Sequence, residues 1–458
     1  MADLRAFLAL LKEKLPEDVV LIPGVVDPDF EVTAITRELE KNFNPVVIFP
    51  EVRGSQFPIV ANLLGSRKRI ALSIGSTPEH FYEAWNEKIQ HLLKPRMVRS
   101  GPVKDVVLVG DGVDVTKLPI HRYFEQDAGR YITNALMVVK DPDTGIRNLG
   151  YSRTQLVERA KLRHSMHSRG HQWLIFGKAE RMNKNLEVAI VIGAHPAVLL
   201  AAATRFVSLG LDEYEIAGAI LGEPVDLVRC ETVDLEVPAY GEIVIEGEIL
   251  ANEREDEGPF GEYTGYASGR STRNVIRVKA MTHRKDAYYQ DIISGNSSEH
   301  LVFGNAAKYA IVYNRMRQVI PNVRQINWPV SGVSYLCFVQ LAKPVEEGQP
   351  NLAGALLLGL DSYVKIIVVV DEDVNVFDES EVLWAVSTRV DPCADVNVLK
   401  NIFCNRLDPS ATEFGTIGKL IIDATKKKGG QYNRLTIPEK IIERAKIRVQ
   451  QLLPGKCC

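Results

Sequence analysis

The sequence contains no long hydrophobic run and no excess of charge of one sign. Its 458 residues include 55 Lys and Arg against 58 Asp and Glu, a formal net charge of -3. A polyanion-binding surface normally needs a far larger basic excess, so we expect no nucleic-acid partner and interpret Lys426–Lys428 as a solvated loop. The amino-terminal stretch lacks the basic start and apolar centre of a signal peptide, and it is too short to span a membrane. We therefore expect no membrane association.

Cysteines at zinc-binding or redox spacing are also absent. The six cysteines are Cys230, Cys337, Cys393, Cys404, Cys457 and Cys458. Thiols scattered in this way are typical of a reducing compartment, which predicts a cytoplasmic protein without structural zinc. The chain also lacks a GxGxxG segment after a strand, so it gives no support for NAD chemistry.

Hydrophobic periodicity divides the chain into four segments. Residues 1–105 mix helical and strand patterns and are interpreted as an α/β domain. Residues 106–295 are rich in strand patterns separated by turns, which predicts a β-barrel or sandwich with a helical insertion near 196–221. Residues 296–435 return to α/β. Residues 436–458 form a terminal helix whose apolar face must be buried, with a partner subunit as one option.

Finer predictions concern the first segment. Apolar positions at helical spacing predict an amphipathic surface helix at the amino terminus. The positions are Leu4, Phe7, Leu8 and Leu11. Two short apolar runs, 46–50 and 70–74, are interpreted as buried strands. Ser76 and Glu79 have the spacing of a capping box, with Pro78 in the first turn, which predicts that a helix begins at Ser76.

Two carboxylates, Glu257 and Glu262, bracket a Gly-Pro-Phe-Gly turn. Such a turn folds the backbone sharply and can aim both side chains at one cavity. Paired carboxylates in a cavity influence each other's protonation, which is how many enzymes obtain a general acid near neutral pH. The alternative is an acidic surface turn, because the residues just before it are also acidic.

A second group of candidates follows a predicted strand that begins at Asn148. Arg153 is suited to binding a carboxylate through a two-pronged hydrogen bond. His171, followed by what we interpret as an apolar strand, could point into the same cavity. His164 and His167 lie in a basic stretch and are interpreted as surface residues. Distant Asn, His and Glu side chains could bind Mn2+ or Mg2+, but spacing alone does not establish such a site.

Several motifs together resemble one known family. They are DAGRYIT (127–133), NLGYSR (148–153), GAHPAVLLAAAT (193–204), EGPFGE (257–262) and EVLWAVSTRVDP (381–392). In this order, and over nearly the whole chain, they closely resemble the UbiD family of decarboxylases. EGPFGE with the upstream Arg153 is the most diagnostic part. The resemblance implies an N-terminal α/β domain, a central split β-barrel that binds prenylated FMN, and a C-terminal α/β oligomerisation domain.

The resemblance also implies an activity, the reversible decarboxylation of an aromatic, heteroaromatic or α,β-unsaturated acid through a covalent adduct with prenylated FMN. In that family a Glu–Arg–Glu set lies over the flavin, with the second Glu as proton donor. The matching residues are Arg153, Glu257 and the donor Glu262. A divalent metal, usually Mn2+, holds the cofactor phosphate in the family. The matching ligands are Asn148, His171 and Glu213.

Further contacts and partners follow from the same resemblance. The residues implied along the cofactor are Asn148, Gly150, Tyr151, Ser152, Arg153 and His171, with Lys365 as a phosphate contact. A K+ ion commonly lies near the equivalent of Ala202 to Arg205. A separate enzyme makes the prenylated cofactor, so a flavin prenyltransferase is an expected partner. CO2 is the expected product, or co-substrate in reverse, and we expect a homodimer or larger homo-oligomer.

The substrate is suggested by residues 294–304, which resemble the substrate-facing segment of the furan- and pyrrole-carboxylate branch. Asn296 stands where that branch has His or Asn and could pair with a pyrrole N–H or a carboxylate. This favours a pyrrole- or furan-2-carboxylate as substrate. Alternatively, Asn296 only caps a turn before a helix. The competing functions are a benzoate-type or acrylic-acid decarboxylase, a flavin reductase, and a catalytically silent flavin-storing protein.

Overall fold

The computed structural model describes residues 2–166, 170–204 and 209–452. The helices are α1 (Leu4–Lys14), α2 (Glu31–Glu40), α3 (Arg67–Ser73), α4 (Phe81–Lys88), α5 (His171–Arg181), α6 (Pro196–Ala202), α7 (Glu213–Leu221), α8 (Ser298–Val319), α9 (Gln349–Leu360), α10 (Glu379–Arg389) and α11 (Glu439–Leu452). The strands are β1 (Val19–Leu21), β2 (Val25–Val26), β3 (Val46–Phe49), β4 (Glu51–Val52), β5 (Ile59–Ala61), β6 (Arg96–Met97), β7 (Val106–Val109), β8 (Tyr131–Ile132), β9 (Leu136–Lys140), β10 (Arg147–Tyr151), β11 (Thr154–Glu158), β12 (Lys161–His164), β13 (Leu186–Ile192), β14 (Asp226–Arg229), β15 (Glu236–Pro238), β16 (Ile243–Glu257), β17 (Phe260–Gly261), β18 (Ala267–Ser268), β19 (Ser271–His283), β20 (Tyr289–Asp291), β21 (Val323–Asn327), β22 (Leu336–Leu341), β23 (Ile366–Asp371), β24 (Val396–Phe403) and β25 (Thr416–Asp423).

The amino-terminal region is built around a four-stranded mixed sheet in the order β1-β3-β5-β20. Helix α1 packs on its core through the four apolar positions that its sequence repeats, and all four are buried. The predicted amphipathic surface helix is thus confirmed. Strand β20 comes from residues far later in the chain and pairs in parallel with β5.

Two predictions for this region are wrong. Residues 70–74 were expected to form a strand, but residues 70–73 lie in helix α3 and Ile74 is its C-cap. Ser66 caps the start of this helix by accepting a hydrogen bond from the Arg69 backbone N–H at 3.3 Å. A short apolar run does not distinguish a buried strand from a buried helix. The helix expected to begin at Ser76 begins instead at Phe81, with His80 as its N-cap.

The central region is a nine-stranded antiparallel sheet in the order β10-β9-β13-β16-β19-β12-β11-β8, with β7 also paired to β19. Its longest pair, β16 with β19, has a register irregularity between Ile249 and Arg254. Such irregularities bend and twist long strands. Helices α6 and α7 follow β13, as the predicted helical insertion requires. A central antiparallel sheet between two α/β regions confirms the predicted fold class.

The carboxy-terminal region has a five-stranded sheet in the order β21-β22-β23-β25-β24. Strands β22, β23 and β25 are parallel, and helices α8, α9 and α10 lie in the connections between strands. The described part of this region contains the buried ion pair of Lys308 with Asp361, whose Nζ and Oδ2 lie 2.9 Å apart with both side chains 1% exposed. Arg389 and Asp371 form a second buried pair at 3.2 Å, with side chains 2% and 4% exposed.

Replacing Lys308 by methionine is expected to lower the free energy of unfolding by about 3–5 kcal/mol, because Asp361 would remain buried without its cation. Chemical denaturation monitored by circular dichroism measures the change. Lys14→Met is the matched control, since Lys14 pairs with Glu13 at an exposed position, and we expect a change within about 0.5 kcal/mol. Equal effects at the two positions would contradict the expectation.

The terminal helix α11 packs little against the rest of the chain. Its apolar side chains Ile441, Ile442, Val449 and Leu452 are all exposed. Burial of this face in a partner subunit stays a prediction. No described helix is both long enough and apolar enough to cross a lipid bilayer. The four described cysteines are free thiols, and Cys457 and Cys458 lie outside the described residues.

Candidate active site

Three predicted catalytic residues meet in one cluster. Arg153 lies between β10 and β11 and binds Glu257 with two parallel hydrogen bonds, Nε to Oε1 and Nη2 to Oε2, each 2.9 Å long. Its third nitrogen, Nη1, contacts Oε1 of Glu262. Glu257 is 1% exposed, while Arg153 and Glu262 are 14% and 12% exposed. The alternative of an acidic surface turn is therefore wrong, because both carboxylates point inward onto one guanidinium.

The turn between the two glutamates explains how they reach the same cation. Glu257 ends β16, and Gly258 follows with φ of +82°. A side chain there would be strained, and its Cβ would lie 3.0 Å from the Gly269 carbonyl oxygen. The chain then pairs β17 with β18 and returns Glu262 to the guanidinium.

Burial would ordinarily disfavour the charge on Arg153. The hydrogen bonds and charges of Glu257 and Glu262 outweigh that desolvation and raise the pKa of Arg153 above its usual value. The ring of Phe260 also lies under the guanidinium, with its centroid 4.7 Å from the central carbon. Arg153 is therefore a fixed, fully charged group at one wall of the site.

The three predicted metal ligands also converge. Asn148 Nδ2 lies 2.7 Å from Glu213 Oε1 and 3.4 Å from His171 Nδ1, and the other Glu213 oxygen accepts the Leu149 backbone N–H at 2.7 Å. Burial raises the pKa of Glu213 to about 8. An amide, an imidazole and a buried carboxylate are a donor set suited to a hard divalent cation, whose charge would relieve this desolvation. To ligate it, Asn148 would present its amide oxygen.

No group of three or more His, Cys, Asp and Glu side chains within the described ranges is arranged to hold a metal ion. The candidate cation site is therefore the mixed set that includes the Asn148 amide.

The predicted cofactor strand connects the two clusters. Gln172 donates to the Gly150 carbonyl at 3.2 Å and accepts from the Ser152 hydroxyl at 3.2 Å. A Cβ at Gly150 would lie 3.1 Å from the Gln172 amide nitrogen. The ring of Tyr151 meets Phe303 edge-on, with centroids 5.7 Å apart. Residues 150–152 are thus held between the arginine cluster and the candidate cation site.

Asn296 lies beside the hairpin that carries Glu262. Its Oδ1 accepts a hydrogen bond from Arg37 Nη2 at 2.9 Å, and its Nδ2 would lie 3.7 Å from a Cβ built on Gly265. Ser297, not Asn296, caps the following helix α8. The helix cap is therefore Ser297, and both proposed roles of Asn296, in substrate binding or only in a turn before the helix, stay predictions.

Two other predicted positions lie apart from these clusters. Lys365 precedes β23, and its ammonium contacts Asp408 and Ser410 in the carboxy-terminal region. Ala202 ends α6, and the Thr204 hydroxyl donates to a carbonyl of that helix. Arg205 lies outside the described residues. The phosphate contact at Lys365 and the K+ site stay predictions.

Two histidines differ from their predicted surroundings: His164 is not at the surface, and His171 is not followed by a strand. His164 is fully buried in β12, and burial lowers its pKa to about 3. Residues 161–164 alternate outward and inward, so the period of two places His164 beside Leu162 on the buried face. His171 begins helix α5 rather than preceding a strand. His167 lies outside the described residues.

Sequence reasoning also missed residues that organise the site. Gln172 directly follows His171, and Asp127 is the first residue of a motif to which no role was assigned. Asp127 is 2% exposed and accepts three backbone N–H groups around the site. The sequence shows only that one is a polar residue next to a candidate ligand and the other begins a motif, and neither fact assigns a role.

Comparisons with known proteins agree with this architecture. The three matching family models describe parts of a 3-octaprenyl-4-hydroxybenzoate carboxy-lyase: its N-terminal domain over residues 12–89, its Rift-related domain over 96–297 and its C-terminal domain over 301–424. The chain is similar to the UbiD-class enzyme HmfF from Pelotomaculum thermopropionicum in complex with FMN, at 38% identity and a TM-score of 0.91 over 97% of this chain and 99% of that chain.

Two further structures are similar. An evolved dimeric form of HmfF in complex with prFMN shares 37% identity and a TM-score of 0.88, covering 96% of this chain and 98% of that chain. Apo 3,4-dihydroxybenzoic acid decarboxylase (AroY) from Klebsiella pneumoniae shares 25% identity and a TM-score of 0.90, covering 97% and 99%.

The fold and the matching family models define the chain as a carboxy-lyase, an enzyme that removes CO2 from an acid. The three models follow one another along most of the sequence, and the chain belongs to the UbiD family. The resemblance found in the sequence motifs is thereby confirmed. The roles of the individual site residues stay predictions.

Proposed function

We propose that this enzyme decarboxylates an aromatic, heteroaromatic or α,β-unsaturated carboxylic acid reversibly, with prenylated FMN as cofactor. The observation that carries the proposal is the Arg153 guanidinium bound by Glu257 and Glu262 in one buried cluster. FMN and prFMN in the two HmfF structures support a flavin at the equivalent place. Domain boundaries near 105, 295 and 435 belong to the same proposal.

The reaction explains why these groups are needed. Loss of CO2 from an sp2 carbon leaves electrons that the substrate cannot delocalise, and the prenylated flavin, when bound, supplies the electron sink. Arg153 can bind and orient the substrate carboxylate or hold Glu262 in place. Glu262 is the proposed donor of the proton that replaces CO2. Glu257 fixes the guanidinium through its two parallel bonds.

The cofactor phosphate would be held through a divalent cation, Mn2+ or Mg2+, at Asn148, His171 and Glu213. The fit rests on the convergence of an amide, an imidazole and a buried carboxylate that bears a raised pKa. Backbone groups of residues 150–152 would run along the flavin, held there by Gln172. K+ near Ala202, a flavin prenyltransferase as cofactor supplier, a cytoplasmic location and a homodimer or larger assembly complete the proposal.

A pyrrole- or furan-2-carboxylate is the proposed substrate. Asn296 supports this choice because it lies beside the hairpin that carries Glu262 and offers an amide to a ring heteroatom or carboxylate. The competing substrates within the family are hydroxybenzoates, which are larger, and acrylic acids. A flavin reductase would not need the Arg153 cluster.

Co-expression with a flavin prenyltransferase tests the proposal. The purified protein is expected to carry a flavin with an altered absorbance spectrum and to release CO2 from members of a carboxylic acid panel. Pyrrole-2-carboxylate, furan-2-carboxylate, 4-hydroxybenzoate and cinnamate distinguish the substrate classes. Oxidation of NAD(P)H without CO2 release would favour the reductase, and flavin binding without turnover would favour a storage protein.

Replacing His171 by alanine is expected to reduce metal content and cofactor affinity together, by about 10- to 100-fold, because one ligand of a shared site is removed. Metal analysis and flavin absorbance of the purified variant measure both losses. His91→Ala is the control, since His91 is exposed between α4 and β6. A variant that loses flavin but keeps its metal would contradict the assignment of His171 as a ligand.

A further inference from the structure

The segment that begins at Tyr123 wraps around the turn between the two active-site glutamates. Asp127 is the centre of this contact and is 2% exposed. Its Oδ2 accepts the backbone N–H groups of Tyr123 and Phe124 at 3.1 and 2.9 Å. Its Oδ1 accepts the backbone N–H of Gly261 at 2.8 Å. One carboxylate therefore joins two separate parts of the chain.

Backbone groups extend the same contact along the turn. The Ala128 N–H donates to the Pro259 carbonyl at 2.8 Å. The rings of Tyr131 and Phe260 lie 4.7 Å apart, and Phe260 in turn lies under Arg153. The segment thus supports the turn on the side that faces the guanidinium.

The ring of Phe124 fills space left by two glycines. A Cβ at Gly261 would lie 2.4 Å from this ring, and one at Gly295 would lie 2.8 Å from it. Neither position has room for a side chain unless the ring moves. Phe124 is therefore clamped between the turn before Glu262 and the segment that leads to Asn296.

We propose that Asp127 is a positioning residue that sets the place of Glu262 through its bond to the Gly261 N–H; this inference rests on the proposed function. Gly261 is covalently joined to Glu262, whose own N–H donates to the Tyr266 carbonyl at 2.9 Å. The Asp127 bond is thus made by the N–H of the residue directly before the proposed proton donor. It fixes the point from which the Glu262 side chain reaches Arg153.

Position matters here because proton transfer depends steeply on distance. A misplacement of about 1 Å can lower a rate by about 10²-fold. The proposed metal ligands lie instead on β10, α5 and α7, and the backbone proposed to run along the flavin is residues 150–152. We therefore expect cofactor and metal binding to persist when this turn moves. The inference therefore predicts a loss of turnover without a loss of cofactor.

Asp127→Asn separates the two halves of the contact. The asparagine amide has one acceptor oxygen. That oxygen can accept either the N–H groups of Tyr123 and Phe124 together or the single N–H of Gly261. The oxygen is expected to remain with Tyr123 and Phe124, and the new NH2 group would then face the Gly261 N–H. The turn is released while the wrapping segment keeps its own bonds.

The test uses the enzyme loaded with prenylated FMN. We expect Asp127→Asn to lower kcat at least 10-fold while KM, flavin content and metal content stay within about 3-fold of the parent. Asp371→Asn is the control for loss of a buried carboxylate away from the site: Asp371, in the carboxy-terminal sheet, accepts the Lys426 backbone N–H at 2.7 Å and pairs with the buried Arg389 at 3.2 Å. It is expected to lose stability and keep its kcat.

The outcomes separate the inference from the proposed function. A parent enzyme that releases no CO2 from any acid overturns the proposed function. An active parent with unchanged kcat in Asp127→Asn overturns the inference alone, as does a kcat loss that is matched by Asp371→Asn at equal loss of stability. If Asp127→Asn does not fold, Asp127→Ser, which keeps one acceptor oxygen, is measured by the same criteria.

Discussion

Replacing Glu262 by glutamine is expected to lower kcat by about 10²- to 10⁴-fold, the usual contribution of a positioned general acid. Glutamine keeps the length and shape of the side chain and can still accept a hydrogen bond from Arg153. It has no carboxyl proton to deliver. Flavin and metal content are expected to match the parent enzyme, because their proposed ligands lie on β10, α5 and α7. Single-turnover measurements of CO2 release and flavin absorbance test both parts.

Glu255→Gln is the matched control for that experiment. Glu255 lies on β16, the strand that leads into the turn before Glu262, and it pairs with Lys161 and Arg163 at a partly exposed position. The same chemical change there is expected to leave kcat within about 2-fold of the parent, because surface ion pairs contribute little. Decarboxylation by Glu262→Gln at the parent rate would show that another group delivers the proton.

Replacing Arg153 by methionine is expected to remove nearly all activity and to destabilise the protein as well. Glu257 is 1% exposed and would lose both of its parallel hydrogen bonds. Of the described cations, Arg273 remains near Glu257, with its Nε 3.9 Å from Glu257 Oε2. Leaving a buried carboxylate without its partner costs about 3–5 kcal/mol in unfolding free energy. Denaturant unfolding and turnover of the same preparation measure the two effects.

Arg153→Lys distinguishes charge from geometry in this cluster. Lysine restores a positive charge but not the planar group that binds two oxygens of Glu257 and one of Glu262 together. We expect most of the stability to return and most of the activity to remain lost. Arg53→Met, at an exposed pair with Asp27, controls for loss of an arginine. Full activity in Arg153→Lys would contradict the need for a guanidinium.

Short apolar runs predicted a buried strand correctly in one place and wrongly in another. The run 46–50 is a buried strand, β3, because apolar residues there fit a sheet covered on both faces. The run 70–74 has a similar composition but lies in a helix that Ser66 caps. The apolar composition of the two runs does not separate them. The difference comes from capping and from tertiary packing.

The residues of the site likewise include some that the sequence predicted and one that it did not. Arg153, Glu257 and Glu262 could be chosen because the motifs that contain them resemble a known family, and the structure brings them together. Asp127 could not be given a role from the sequence, since the Gly261 N–H that it accepts lies 134 residues away and reaches it only in the folded chain. Hydrogen bonds to backbone groups leave no residue-type signal at the donor positions.

Two strand pairings cross the domain boundaries that were predicted from the sequence. β20 completes the amino-terminal sheet beside β5, and β6 pairs with β14 from the middle of the chain. A fragment spanning 106–295, excised for separate expression, would carry β20 away from its partner and leave β14 without β6. We therefore expect such a fragment, and the truncated remainder, to aggregate through their newly exposed strand edges.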